Sequence, residues 1–174
     1  MLPCVPWLRQ GDVFEDVRWL TITRSDDDDT FVASSGPGAA LLITHGCQMD
    51  KRTNAGRPKA KRLQFLPVHP ITDLNHDSQE RLRRHEVSPP EAVFVGALTD
   101  GREGFGLLGE AFTLPTSYFH PHVESFEGHS QADQSDPYHL VVTRHEERLG
   151  TIDDALVELM HSKMVAYWLG AQRA

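Results

Sequence analysis

The chain has 174 residues, of which 39% are hydrophobic and 24% charged, and its formal net charge is −8. A chain of this length can bury a hydrophobic core without disulfide or metal support, so we predict a single domain over residues 1–174. The negative net charge argues against a protein that binds nucleic acid with its whole surface. No apolar run approaches the roughly 20 residues that are needed to span a membrane.

The first residues and the cysteine content are typical of an intracellular protein. Residues 1–9 have neither the basic start nor the long apolar middle of a signal peptide. The only cysteines are Cys4 and Cys47, whereas small secreted domains usually carry a denser disulfide framework. We therefore expect a cytoplasmic protein with free thiols and no membrane association.

Apolar patterns predict a β-rich first half. Segments with the alternating or continuous apolar pattern of strands are 17–23, 31–34, 41–44 and 63–68. The stretch 41–44 is apolar on both faces and predicts a central buried strand. Residues 35–38, Ser-Gly-Pro-Gly, predict a turn, and residues 46–61 lack periodicity and predict a loop.

The second half is predicted to add one short helix and further strands. Asp77 and Glu80 have the spacing of a capping box, which predicts a polar helix over 79–86. The predicted strands are 92–98, 105–113 and 138–143, and a single helical turn is predicted at 113–119. Many short strands and few βαβ alternations favour an α+β fold.

The C-terminal segment has the clearest helical pattern. Thr151 is the expected cap, and Gly170 the expected end. The apolar stripe at helical spacing comprises Ile152, Leu156, Leu159, Met160, Met164, Tyr167 and Trp168. We predict a mainly β protein of the α+β class: a small barrel or curled sheet with a C-terminal amphipathic helix and a short inserted helix.

The strongest chemical signal follows the predicted buried strand. His45 and Cys47 lie where that strand leaves the core, and in an extended chain they point to one face. An imidazole beside a thiol favours the nucleophilic thiolate, with Asp50 able to orient the histidine. A buried cysteine that only fills space, next to a hydrogen-bonded histidine, fits the same pattern. We therefore carry His45, Cys47 and Asp50 as candidate catalytic residues.

A basic loop follows directly. The candidate binding residues are Thr44, Lys51, Arg52, Arg57, Lys59, Lys61 and Arg62. The cations of this segment have no acidic neighbour after Asp50, so they repel one another, and a partner that carries phosphate, such as RNA, would relieve the repulsion. A solvated, flexible loop is the alternative.

No metal or cofactor is predicted. Histidines gather in the second half at His120, His122, His129 and His139. Although the pair around Pro121 could chelate, the spacing matches no established zinc motif, and isolated surface histidines are the alternative. Residues 104–109 match GxGxxG but lie inside a predicted strand, which excludes the usual dinucleotide site.

Short motifs in a fixed order resemble the MazF/PemK-like family of toxin endoribonucleases. These motifs are Gln10-Gly-Asp-Val13, the strand 40–44, Leu66-Pro-Val-His-Pro-Ile-Thr72, and Arg148-Leu-Gly-Thr151 with the final helix. The resemblance implies an SH3-like barrel, RNA cleavage, a homodimer and a protein partner such as an antitoxin. It also adds Thr72, which matches the threonine of the family's "P-I-T", to the candidate catalytic residues.

The chain departs from that family at informative positions. The loop 35–39 has no arginine, whereas family members usually carry one there that contributes to RNA cleavage, and the segment 75–90 is extra. The stretch from Thr44 to Lys51 is similar instead to a "T-H-D-C-E-x-D-K" signature of a diverged branch. Two hypotheses follow: a metal-independent endoribonuclease of a toxin–antitoxin or phage-conflict system, or a non-catalytic barrel module that binds a protein or nucleic acid through the loop 44–62.

Overall fold

Seven strands pair into a mostly antiparallel sheet in the computed structural model, which describes residues 1–2, 8–24, 31–49, 60–98, 101–119 and 147–171. The strands are β1 Asp12–Arg24, β2 Phe31–Leu42, β3 Arg62–Pro70, β4 Ala92–Ala97, β5 Glu103–Leu107, β6 Phe112–Pro115 and β7 Arg148–Thr151. The helices are α1 Gly46–Met49, α2 His76–Arg83 and α3 Asp154–Ala171. The predicted α+β class is confirmed. None of the described helices has the length and hydropathy needed to cross a membrane.

The sheet is organised around β3. Its order is β4-β5-β3-β2-β1-β7, and β6 also pairs with β3. One edge of β3 receives β6 at residues 62–65 and then β5 at residues 68–70, while the other edge receives β2. Among the residues that the structure describes, no ladder joins β4 to β7, so these ladders leave the sheet open, and the SH3-like barrel stays a prediction.

The strands β1 and β2 form a long ribbon. Their register runs from Val13 opposite Leu41 to Arg24 opposite Phe31. The turn predicted at 35–38 is therefore wrong, because this segment is extended within β2. Gly38 serves a packing purpose there: a Cβ atom at this position would lie 2.5 Å from Cη2 of Trp19, so glycine makes room for the indole.

The predicted return strand 105–113 is also wrong as a single element. β5 ends at Leu107, a 3-10 turn covers Leu108–Glu110, and β6 starts at Phe112. The interruption allows the two halves to pair with different ends of β3. The strand expected at 92–98 is confirmed as β4, and the helical turn within 113–119 is confirmed at Thr116–Tyr118. The strand expected at 138–143 lies outside the described residues.

Both helix caps differ from the predicted ones. Asn75, and not Asp77, caps α2, since its Oδ1 accepts a hydrogen bond from the Ser78 amide at 2.9 Å. At α3 the Asp153 carboxylate accepts from the Leu156 amide at 2.9 Å. The expected cap of α3, Thr151, belongs to β7 and is fully buried. In each case an Asx side chain directly before the helix provides the acceptor.

The core occupies both faces of the sheet. One cluster includes Phe14, Phe65 and Phe119, and a second packs the α3 residue Met160 against residues from β1 to β4. α3 extends past the expected end at Gly170, to Ala171. Trp168, predicted to belong to the apolar stripe, is 59% exposed, so that part of the prediction is wrong.

A lysine lies on the buried face of α3 instead. The Lys163 ammonium donates to the carbonyl oxygens of Val87 and Pro89 at 2.9 and 2.8 Å. Burial lowers the pKa of Lys163 to about 8, and the nearby charges of Glu91 and Glu86 oppose the decrease. The two hydrogen bonds of Lys163 connect the segment before β4 to α3.

Replacing Lys163 with methionine removes its hydrogen bonds to the carbonyl oxygens of Val87 and Pro89, of which the latter also accepts from the Ala92 amide at 3.4 Å, and we expect a loss of about 1–3 kcal/mol in the free energy of unfolding. The loss should depend on pH. Between about 8 and 10.5 the unfolded chain holds a proton on Lys163 that the folded protein has released, so the stability that Lys163 contributes rises with pH. Urea titrations of wild type and Lys163→Met across this window measure the difference. Lys61→Met, at an exposed lysine, is the control, and a difference that stays constant or falls with pH would contradict the account.

Candidate functional site

The end of the buried strand is anchored to β3. The Ile43 amide donates to the Gln64 carbonyl at 2.9 Å, and the Gln64 amide donates to the Thr44 hydroxyl at 2.6 Å. Thr44 is consequently buried, and its hydroxyl holds the strand end. The next residue, His45, is exposed, and α1 begins immediately after it. The predicted sequence of a buried strand followed by exposed polar groups is therefore confirmed up to His45.

His45 stacks on a second histidine that the sequence did not single out. The rings of His45 and His161 have centroids 5.5 Å apart and planes inclined by 20°. His161 is half-buried on α3. The end of the β2 segment and the terminal helix thus bring together two imidazoles that are far apart in sequence.

Gln10 fixes the orientation of His161. The Gln10 Nε2 donates to the Ile43 carbonyl at 2.9 Å, which leaves its Oε1 facing His161 Nε2 at 3.0 Å. An amide oxygen only accepts, so these partners assign the ring proton of neutral His161 to Nε2 and leave Nδ1 as a base. Gln10 belongs to the Gln-Gly-Asp-Val motif, but that motif gave no indication of contact with a histidine.

The orientation of His45 follows from a backbone contact. The Cys47 amide donates to His45 Nδ1 at 3.2 Å. This contact assigns the proton of the neutral His45 ring to Nε2. The stacked pair therefore offers a hydrogen-bond donor on His45 and a proton acceptor on His161, which is a combination suited to acid–base chemistry.

Cys47 does not fill space in the core. Its side chain is exposed, so the buried-cysteine interpretation is wrong. Its described hydrogen bond to His45 comes from the backbone amide and occupies Nδ1. This nitrogen cannot accept a proton from the thiol while that contact persists, which weakens the case for a Cys47 nucleophile activated by His45.

The basic loop is described only at its end. Asp50, Lys51, Arg52, Arg57 and Lys59 lie outside the described residues. Lys61 and Arg62 are exposed. The guanidinium of Arg62 donates to Thr113 Oγ1 at 2.9 Å and to the Thr113 carbonyl at 3.0 Å, which orients it over β6.

Thr72 does not join His45. It is exposed in the 3-10 turn Ile71–Asp73, which follows the far end of β3. The Gln64 residue beside Thr44 belongs to the opposite half of the same strand. The structure therefore separates the catalytic candidates His45 and Thr72 along β3.

A metal centre receives no support from the described ranges, in which no group of three or more histidine, cysteine, aspartate or glutamate side chains could hold a metal ion. The histidines considered as ligands, His120, His122, His129 and His139, lie outside those ranges.

A buried ion pair positions the elements that carry the site. The Arg148 guanidinium lies 2.9 Å from the Asp12 carboxylate, and both side chains are 0% exposed. The Thr151 hydroxyl and the Arg9 amide also donate to Asp12. Burial raises the pKa of Asp12, and these donors together with the charge of Arg148 oppose the rise.

The chain matches no protein-family model and no curated protein at a significant level.

We expect iodoacetamide to label Cys47 in the folded protein about as fast as in denatured protein, because the side chain is exposed. His45→Ala should change this rate little, because His45 contacts the backbone amide of Cys47. Mass spectrometry of limited labelling measures the rate, and a Cys4→Ser background removes the second thiol. A rate well above the denatured control that collapses in His45→Ala would show an activated thiolate and contradict the account.

Proposed function

We propose that the chain is a diverged MazF/PemK-like protein with an SH3-like barrel, and that it is a metal-independent endoribonuclease of a toxin–antitoxin or phage-conflict system. A mostly antiparallel sheet with a terminal helix supports the fold part of the proposal. The observation that carries the activity is the stacked pair of His45 and His161. A homodimer and an antitoxin-like protein partner belong to the same proposal, on the family resemblance alone.

RNA cleavage without a metal uses the 2′-hydroxyl as the nucleophile. His161 Nδ1 takes the 2′-hydroxyl proton, and the 2′ oxygen forms the new bond to phosphorus. His45 Nε2–H donates to a non-bridging phosphate oxygen, where negative charge grows in the transition state. The bond from phosphorus to the 5′ oxygen breaks with its electron pair on oxygen, which takes a proton from water. The products are a 2′,3′-cyclic phosphate and a 5′-hydroxyl.

The surroundings of the imidazoles suit a polyanionic substrate. His45 is exposed, so a phosphate can reach its Nε2. Lys61 and Arg62 are exposed at the start of β3, three and two residues before Gln64, which anchors Thr44. Cations next to a phosphate site raise local substrate concentration and stabilise the developing charge. Cys47 has no role in this reaction.

The purified protein should cleave single-stranded RNA in the presence of EDTA. His45→Ala and His161→Ala should each lower kcat/KM by roughly 10²-fold or more, because each removes one proton-transfer or donor group. Product ends are identified by their resistance or sensitivity to phosphatase.

Matched variants make this experiment decisive. His76→Ala removes an exposed histidine of α2 and should leave the rate unchanged, as should Cys47→Ser. Intact RNA across varied sequences would refute the proposal. Cleavage that persists equally in His45→Ala and His161→Ala would also refute it, since it would come from another site or from a contaminant.

A non-catalytic module is the second candidate. Leu20 and Ile22 of β1 are 61% and 62% exposed, which is unusual for apolar side chains on a strand and favours contact with a partner protein. The loop 35–39 also lacks the arginine of the resembling family. Stable binding without any RNA cleavage in EDTA or with added divalent cations would favour the module over the enzyme.

A further inference from the structure

A column of aromatic rings leads from the core to the surface. The rings of Phe119 and Phe65 have centroids 5.0 Å apart, those of Phe65 and Phe112 lie 5.8 Å apart, and those of Phe112 and Trp19 lie 5.2 Å apart. The planes of successive rings are inclined by only 23° to 26°. The column begins at the fully buried Phe119 and ends at the half-buried Trp19.

The end of this column opens into a groove. Two adjoining cavities of about 380 and 550 Å³ both border Trp19, Leu20 and Phe112. The groove lies between the ribbon of β1 and the segment 109–114. Its walls combine aromatic rings and the exposed Leu20 and Ile22 with a few polar groups, which is the usual composition of a small-ligand site.

The polar groups sit at opposite ends of the groove. At one end, His69 Nε2 lies 2.6 Å from the Glu110 carboxylate. At the other end is Arg18, together with Thr113, to which the Arg62 guanidinium donates. One end therefore offers a hydrogen-bonding pair, and the other carries positive charge.

We propose that this groove binds an unstacked base of single-stranded RNA, with Trp19 as the stacking platform. The inference rests on the proposed ribonuclease function and names how its substrate is held. Bases stack on exposed aromatic rings whatever their identity, whereas a duplex keeps its bases stacked on one another and cannot present one in this way.

The charge at the mouth of the groove favours RNA over an apolar peptide. Arg18 and Arg62 lie at the β6 end, where the phosphate backbone would pass. An apolar peptide would gain nothing from these guanidinium groups, whereas each phosphate contact strengthens RNA binding.

The His69–Glu110 pair adds a hydrogen-bonding edge. A carboxylate accepts and an imidazole either donates or accepts, so the pair can contact the exposed edge of a base that lies on Trp19. His69→Ala should therefore alter the preference among bases more than it weakens binding overall. Stacking by Trp19 should account for most of the affinity.

The test measures binding of a short single-stranded RNA to the His45→Ala variant by fluorescence anisotropy at low salt. Trp19→Ala, added to that background, should raise Kd roughly 5- to 150-fold, the range expected from stacking of one base. Trp19→Phe keeps a ring and should raise Kd much less. Trp168→Ala removes an exposed tryptophan of α3 and is the matched control that should have no effect.

A substrate change tests the same contact without altering the protein. RNA with abasic positions should bind the His45→Ala protein more weakly, and Trp19→Ala should add little further loss with that ligand. Equal affinity for normal and abasic RNA, or no RNA binding at all, would overturn the proposal. So would a change from dimer to monomer in Trp19→Ala together with unchanged RNA affinity, since the groove would then be covered by a second copy of the chain.

The outcomes also separate this proposal from the ribonuclease itself. RNA binding that depends on Trp19 without cleavage by the wild type would support the groove and refute the enzyme. Cleavage with an unchanged kcat/KM in Trp19→Ala would support the enzyme and refute the groove.

Discussion

The buried ion pair of Asp12 and Arg148 is the interaction on which the arrangement of this protein depends. The two residues are 136 positions apart in sequence, and neither side chain reaches solvent. A buried charge without a partner is costly, and removal of one member of such a pair typically costs about 3–5 kcal/mol. The pair therefore fixes β1 against β7 and sets the position of everything adjacent to them.

The candidate site contains residues that follow or precede each strand of the ion pair closely in sequence. Gln10 precedes Asp12 by two residues, and α3, which carries His161, starts shortly after Thr151. The hydrogen bond between Gln10 and His161 therefore adds a second contact between the two parts of the chain that the ion pair joins. His45 follows the end of β2 and stacks on His161. The contacts of Ile43 and Thr44 with Gln64 hold this strand end in place. His161 lies on α3, whereas Gln10 and His45 lie just before β1 and just after β2, where hydrogen bonds hold the connecting segments in place.

The sequence predicts those features that depend on local patterns. Apolar patterns predict the run before His45, the strand β4 and the terminal helix, because their apolar side chains are buried in the core on one or both faces of the sheet. The segment 35–38 was misread because Gly and Pro usually signal turns, whereas here Gly38 accommodates the Trp19 ring inside the ribbon. The break between β5 and β6 depends on pairing with β3, which no local pattern contains.

For the same reason, local patterns predict only part of the candidate site. His45 was found from its place after the buried strand, but Gln10 and His161 are 151 positions apart and meet only in the fold. Thr72 is predicted as a catalytic residue from a motif, but it lies beyond the far end of β3, away from His45. Conversely, Thr151 was predicted as a helix cap because the sequence does not show that Asp12 lies beside it.

The tautomers of His45 and His161 test the account most directly. Long-range ¹H–¹⁵N correlation spectra in mildly alkaline solution, where imidazoles are neutral, distinguish protonation at Nδ1 from protonation at Nε2. We predict the Nε2–H form for both rings, with close ring–ring contacts, and predict that Gln10→Leu removes the preference of His161 for that form. A proton on Nδ1 of His161, or free exchange between both tautomers in the two rings, would contradict it.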